Sequence, residues 1–157
     1  KLTAGWNNSF SYKNWNLNAF ITGVFGNDVY NSPRAHYTSA QMFSDGKNVL
    51  KEFLSNPAGD ASGSLPSDRF IEKGTYVRLQ SLSLSYTFRN CFNNWIQDLT
   101  LYGTANNLLT ITSYKGLDPE VNLGGIDPGI DYRWSRYPHA RAFMVGVKIN
   151  FGDGKKK

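Results

Sequence analysis

Between residues 142 and 151 every second residue is large and apolar. Phe143, Val145, Val147, Ile149 and Phe151 alternate with Ala142, Met144, Gly146, Lys148 and Asn150. A period of two sends successive side chains to opposite faces of a strand, and no helix tolerates it. The pattern recurs in residues 81–88, where Leu82, Leu84, Tyr86 and Phe88 oppose Ser81, Ser83, Ser85 and Thr87. It recurs over residues 99–111, with Leu99, Leu101, Gly103, Ala105, Asn107, Leu109 and Ile111 on the odd face and Thr100, Tyr102, Thr104 and Asn106 on the even one. Residues 15–25 carry Trp15, Leu17, Ala19, Ile21, Gly23 and Phe25 on one face and a mixed set on the other. A less regular strand spans residues 3–12 and joins the next through Lys13-Asn14, a two-residue hairpin turn. The chain therefore reads as all-β, with five antiparallel strands.

The connections constrain the fold further. Lys13-Asn14 is minimal and residues 89–98 are moderate, but residues 27–75 and 112–138 are very long. Compact soluble hairpins rarely carry structureless loops beyond about 12–15 residues. Transmembrane barrels pair short periplasmic turns with long extracellular loops. Their strands need roughly 9–11 residues to cross the hydrocarbon, which is the length of the clean runs here. The apolar face of the four clearer strands carries no charge. Tyr12, Trp15, Phe88, Trp95 and Phe151 gather at one set of strand ends, and Tyr30, Tyr76, Tyr114 and Tyr137 gather near the other. Two interfacial girdles are expected from that distribution. A soluble antiparallel sandwich, with the same alternation turned toward a core, is the alternative.

Composition narrows the classes. Aromatic residues make up 15% of the chain, too many for a disordered segment. No apolar run approaches the roughly 20 residues a membrane-spanning helix requires. Cys91 is the single cysteine, so an internal disulfide framework and a cysteine-based zinc site are excluded. The net charge of +5 owes three lysines to the terminal Lys155 to Lys157, so it points to no nucleic-acid partner. The chain opens on Lys1 with no leader-like apolar run after it, and reads as processed or cut from something larger. Within the first long loop, residues 47–54 are expected to form a short helix and residues 56–68 to be irregular.

Several segments together carry a resemblance. They are Pro66-Ser67-Asp68-Arg69-Phe70-Ile71-Glu72-Lys73-Gly74-Thr75-Tyr76-Val77-Arg78-Leu79, Tyr102-Gly103-Thr104-Ala105-Asn106-Asn107-Leu108-Leu109-Thr110, Tyr114-Lys115-Gly116-Leu117-Asp118-Pro119-Glu120-Val121 and Tyr137-Pro138-His139-Ala140-Arg141-Ala142-Phe143. With the Tyr12-Lys13-Asn14-Trp15 hairpin, their order and spacing resemble the C-terminal end of SusC/RagA-family TonB-dependent outer-membrane transporters. The resemblance covers nearly the whole chain.

It implies that these are the last five strands of a 22-stranded plugged barrel. Residues 1–151 would be barrel and residues 152–157 a polar basic tail. It further implies import of oligosaccharides or peptides across the outer membrane of a Gram-negative bacterium. A SusD-like surface lipoprotein would cap the long loops, and the TonB complex would be reached through an N-terminal part that this chain lacks. Gly146, Ile149 and Phe151 sit at the spacing of the family's assembly signal. Met144 at its usual polar position and the residues after Phe151 depart from it. The competing function is a soluble β-sandwich carbohydrate-binding module.

Enzymatic chemistry finds no foothold. His36 and His139 have no local zinc spacing, and no G-x-S-x-G elbow is present. Gly124-Gly125 lacks the strand–helix context of a phosphate loop. Asp118, Glu120, Asp127 and Asp131 do not have the spacing of a calcium-binding EF-hand loop. The chain is therefore expected to be no enzyme and to use no cofactor and no metal. Asp118, Glu120 and Asn122 are the residues of the second long loop best suited to touch a ligand. The plainer reading of Asp118-Pro119-Glu120 is a local turn.

Overall fold

The structure is a computed structural model that describes residues 1–55, 67–89, 95–121, 129–131 and 137–152. Cys91, Asn122, Gly124-Gly125, Asp127 and Lys155 to Lys157 lie outside the described residues, as does most of the stretch 56–68. In chain order the elements are β1 (Leu2–Tyr12), β2 (Trp15–Phe25), β3 (Asp28–Asn31), α1 (Ser32–Tyr37), α2 (Ala40–Ser44), α3 (Lys51–Ser55), a 3-10 turn (Asp68–Phe70), β4 (Ile71–Lys73), β5 (Tyr76–Arg89), β6 (Ile96–Thr112), β7 (Ile130–Asp131) and β8 (Ala142–Phe151). Two compact units result. One holds the body of the long strands, and the other is built from residues 24–76 and 112–138 with the first two residues.

The long strands form one sheet in the order β1-β2-β5-β6-β8. β1 and β2 meet across Lys13-Asn14, where Lys13 takes a φ of +54°. A positive φ in a two-residue turn matches the twist of the strands it joins. β6 and β8 are antiparallel, with Leu99 opposite Ile149, Leu101 opposite Val147, Gly103 opposite Val145 and Ala105 opposite Phe143. The alternation read from the sequence is therefore a shared apolar face. A register shift between Ile96 and Asp98 brings Ile96, rather than Gln97, opposite Phe151. One extra residue at this bulge keeps an apolar side chain on the apolar face at the strand's start. At the far end the ladder stops at Asn106 opposite Ala142. Asn107 then adopts a φ of +52°, a region Asn enters more readily than most residues, and its Nδ2 donates to Ala140 O at 3.1 Å.

The second unit contains what the sequence left as loop. β4-β3-β7 form a small sheet, antiparallel between β3 and β4 and parallel between β3 and β7. Asn31 caps α1 by accepting Arg34 N–H at 2.9 Å, with Pro33 in the first turn. Ser39 caps α2 in the same way through Met42 N–H. α2 ends where Gly46 takes a φ of +69°. Gly46 N–H then donates to Phe43 O and Lys47 N–H to Met42 O, the two bonds of a Schellman cap. The helix expected over residues 47–54 is corrected by this arrangement. Lys47 closes the cap of α2 and Leu50 N–H is tied to Tyr37 O at 2.8 Å, and the helix that follows spans only Lys51–Ser55.

Every buried apolar residue among those described lies in this second unit: Val29, Ala35, Met42, Phe53, Phe70, Tyr76 and Tyr114. Among the described residues, Tyr76 at the start of β5 is the one core residue that a strand of the five-stranded sheet contributes. Tyr76 and Tyr114 were expected in an interfacial girdle; they are instead about as buried as the apolar core. Among the residues that define the far girdle, Tyr137 is almost fully exposed.

Candidate functional site

The sheet has two chemically distinct faces. On the apolar face Val145 is 91% exposed, Phe143 70%, Trp6 63% and Phe10 61%. In a soluble sandwich these side chains would form the core, so the sandwich has no support here. At the end of the sheet where β1 gives way to β2, the aromatic rings do assemble. Trp15 and Tyr86 meet edge-on with centroids 4.7 Å apart, and Tyr86 and Phe88 do so at 4.6 Å. Tyr12, Trp95 and Phe151 are exposed at the same end, where Gly152 N–H donates to Trp95 O. A belt of amphipathic rings at one level suits a membrane–water boundary.

The other face is lined by hydroxyls that bond across the strands. Thr87 and Thr100 hydroxyls lie 2.9 Å apart, and Thr104 Oγ1 donates to Ser83 Oγ at 3.2 Å. Tyr102 on this face sits opposite Gly146. Its ring lies so close that a Cβ on Gly146 would overlap it. A glycine beneath an aromatic ring both exposes backbone and lets the ring cover it, a known way to secure register. Arg78, buried at the opposite end of β5 from Phe88, donates through Nε to Thr110 Oγ1 at 3.0 Å.

In the loop unit the charges converge on two carboxylates. Arg34 donates to both Glu52 oxygens, at 2.8 and 2.6 Å, and to Glu72 Oε1 at 2.8 Å. Glu72 Oε1 also accepts from Asn31 Nδ2, and Glu72 Oε2 accepts Lys115 N–H at 2.9 Å. Arg69 adds a contact to Glu52 at 3.3 Å. The Arg34 and Arg69 guanidiniums both stack near the Phe70 ring, at 5.9 and 5.5 Å. Glu72 thus ties β3, α1 and the chain after β6 to a single point. Tyr114 donates to Asp131 at 2.6 Å and joins β7 to the same region. Burial, with Asp131 beside it, pushes the Tyr114 hydroxyl well above its usual range, so it remains a donor.

The Arg34 side-chain hydrogen bonds hold the Glu52 carboxyl down to about 2, with burial opposing them. Because the folded value lies below the ordinary carboxylate value, Glu52 contributes its full stabilisation above about pH 4.5 and loses it as pH falls toward 2. Amide exchange across residues 32–55, corrected for intrinsic rates, should therefore stay constant from pH 7 to 5 and rise below about pH 4. Arg34→Met should raise it already at neutral pH. That change leaves Glu72 without its guanidinium partner, at a local cost of about 1–3 kcal/mol for a half-screened site. Unchanged exchange in the variant would show that the knot does not hold the loop.

The residues singled out from the sequence fare differently. Asp118 Oδ1 accepts Glu120 N–H at 3.0 Å, the local turn that Asp-Pro-Glu suggested. Gly146 and Ile149 lie on opposite faces of β8, and Phe151 ends it, highly exposed. His139 is exposed and His36 half-buried, its ring 5.2 Å from that of Tyr37. Sequence reasoning missed Arg34, Glu52 and Glu72 as a group. They are widely separated in the chain and share no periodicity, so only the fold reveals them.

No protein-family model matches the chain. It is 30% identical to TonB-dependent receptor P3 of Formosa agariphila, over 95% of this chain and 16% of that protein. It is 28% identical to TonB-dependent receptor SusC of Bacteroides thetaiotaomicron, over 94% of this chain and 15% of that one. The chain thus spans less than a fifth of the curated relatives it matches. Among solved structures, the RagAB peptide transporter aligns with a TM-score of 0.71 and 21% identity, over 94% of this chain and 17% of that one. The resemblance to SusC/RagA-family TonB-dependent transporters is borne out: the sequence relatives are TonB-dependent receptors, SusC among them, and the fold is similar to that of a segment of the RagAB transporter.

Proposed function

We propose that the chain is the closing part of the barrel wall of an outer-membrane TonB-dependent importer. The observation that carries this reading is the exposed apolar face with its aromatic belt, on a sheet that holds none of the described core apart from Tyr76 at the start of β5. In lipid such a face is satisfied by acyl chains, and the backbone by pairing around a closed barrel. β1 and β8 are the edge strands of the sheet. Further strands, to a total of 22, would pair with them and complete the wall. Residues 1–151 form this wall with its loops, and residues 152–157 a tail beyond it.

Strand parity sets the topology. If Phe151 ends on the periplasmic side, so do Lys13-Asn14 and residues 89–98. Residues 31–68 and 115–136 are then outside the cell, in a Gram-negative outer membrane. The hydroxyl-lined face borders the transport lumen. The pinned loop unit is where a SusD-like surface lipoprotein docks and where an oligosaccharide or peptide enters, and Asp118, Glu120 and Asn122 of the second long loop are the residues proposed to touch it. RagAB, whose fold this chain shares in part, is a peptide transporter, which favours peptides among these. Energy arrives from the TonB complex through the rest of the protein.

An epitope inserted after Gly46, in the turn that ends α2, tests the topology. Intact cells producing the full-length protein should bind the antibody. Binding only after the outer membrane is breached would invert the assignment.

A further inference from the structure

On the apolar face, a groove of about 610 Å³ runs from the aromatic belt to the middle of the sheet. Trp15, Tyr86 and Phe88 bound it at the belt, and Leu84 and Val145 flank it farther in. Its floor is Gly103. The Thr87–Thr100 and Thr104–Ser83 contacts set Leu84 across from Gly103 on one side, and Val145 lies across from it on the other. Between Leu84 and Val145 the row of side chains is interrupted at Gly103.

The two glycines of this part of the sheet differ in kind. At Gly146 a side chain is barred by Tyr102. At Gly103 an added Cβ would meet nothing nearer than Met144 O, at 3.9 Å. Its φ is not among the positive values, so neither backbone nor packing requires glycine. A side chain there would instead fill the groove. Leaving such a dent in a face of exposed Leu, Val and Phe forfeits apolar contact unless something else occupies it.

We propose that this groove is a binding site for one acyl chain of a glycerophospholipid from the leaflet on the turn side of the sheet. The site rests on the lipid-facing reading given above. Four rows of residues separate Phe88 from Leu84, so the groove runs roughly 13 Å at the rise of a strand, enough for the upper half of a fatty-acyl chain. The headgroup would lie at the belt, where Lys13 in the β1–β2 turn carries its ammonium 5.4 Å above the Tyr12 ring. A cation held at the interfacial level complements a lipid phosphate. Among the described residues, no carboxylate lines the groove.

The test uses the full-length protein in mild detergent, with palmitoyl-oleoyl phosphatidylglycerol as probe and native mass spectrometry as readout. The unaltered protein should retain one lipid through detergent removal. Gly103→Leu, which fills the groove, should retain about tenfold less. Ala19→Leu, on the same face outside the groove, should retain as much as the parent. Lys13→Gln lies beyond the strands and tests the headgroup end should Gly103→Leu fail to insert; it should also weaken retention. Equal retention in the parent, Gly103→Leu and Lys13→Gln would overturn the site. Displacement of the lipid by an equal amount of lipid A would overturn the assigned leaflet.

The underlying reading has its own check. A spin label on Val145→Cys should be relaxed by oxygen and not by a nickel chelate. The reverse would show that this face does not touch lipid at all, whatever the lipid retention.

Discussion

Arginine in place of Val147 should destabilise the membrane-inserted protein by about 2–4 kcal/mol, the depth-dependent cost of a cation on the lipid face of a barrel. Val147 lies near the middle of β8, opposite Leu101, and is more than half exposed. Its neighbour Lys148 lies opposite Thr100 on the hydroxyl-lined face. Lys148→Arg should therefore be nearly silent. Unfolding of the full-length protein from lipid vesicles by denaturant measures both. The contrast matters more than either value, because the two residues share strand and depth and point to opposite faces. Equal tolerance at Val147 and Lys148 would mean that the apolar face does not meet hydrocarbon.

That contrast depends on a register legible in the residues themselves. The bounds of β2 and β8 coincide with those read from alternation, and the two-residue turn at Lys13-Asn14 is where the spacing put it. A strand that buries or exposes one whole face writes its register into every second residue. β5 and β6 run longer than their alternation, 14 and 17 residues. Beyond Asn106 the pattern no longer tracks one face, because Asn107 turns left-handed and the ladder with β8 ends.

The loop unit was illegible for a different reason. β3, β4 and β7 have four, three and two residues, too few for any period to show. Its helices α1 and α2 are fixed by caps at Asn31, Ser39 and Gly46 and are too short for an amphipathic stripe to show. The residues that carried the family resemblance did hold information, although not about faces. Phe70, Tyr76 and Tyr114 prove to be core, Glu72 the centre of the charge knot, and Arg78 a buried donor. These motifs specify how a long loop is pinned, which periodicity cannot express.

Gly146 poses the question of why a glycine should stand in the last strand at all. One answer we propose is recognition: with Ile149 and Phe151 it would form the assembly signal that the family resemblance implies and that the insertion machinery would read. The structure offers another, since the Tyr102 ring fills the space a side chain would need. The two answers separate in a double variant. Gly146→Val should lower the outer-membrane level of the full-length protein severalfold at equal transcript. Overpacking against the ring costs about 1–3 kcal/mol, and the collision falls in the β6–β8 ladder on which the final strand depends. Tyr102→Ala in the same chain removes the ring and should restore the level to most of the parent value. Phe151→Asp should lower it as well, by placing a charge in the belt, and Tyr102→Ala should not rescue that variant. The rescue is the expected result because the steric conflict is local and mutual, so relieving either partner relieves both. If Gly146→Val stays depleted with the ring gone, space is not the reason. Gly146 would then be read, together with Ile149 and Phe151, by whatever inserts the strand.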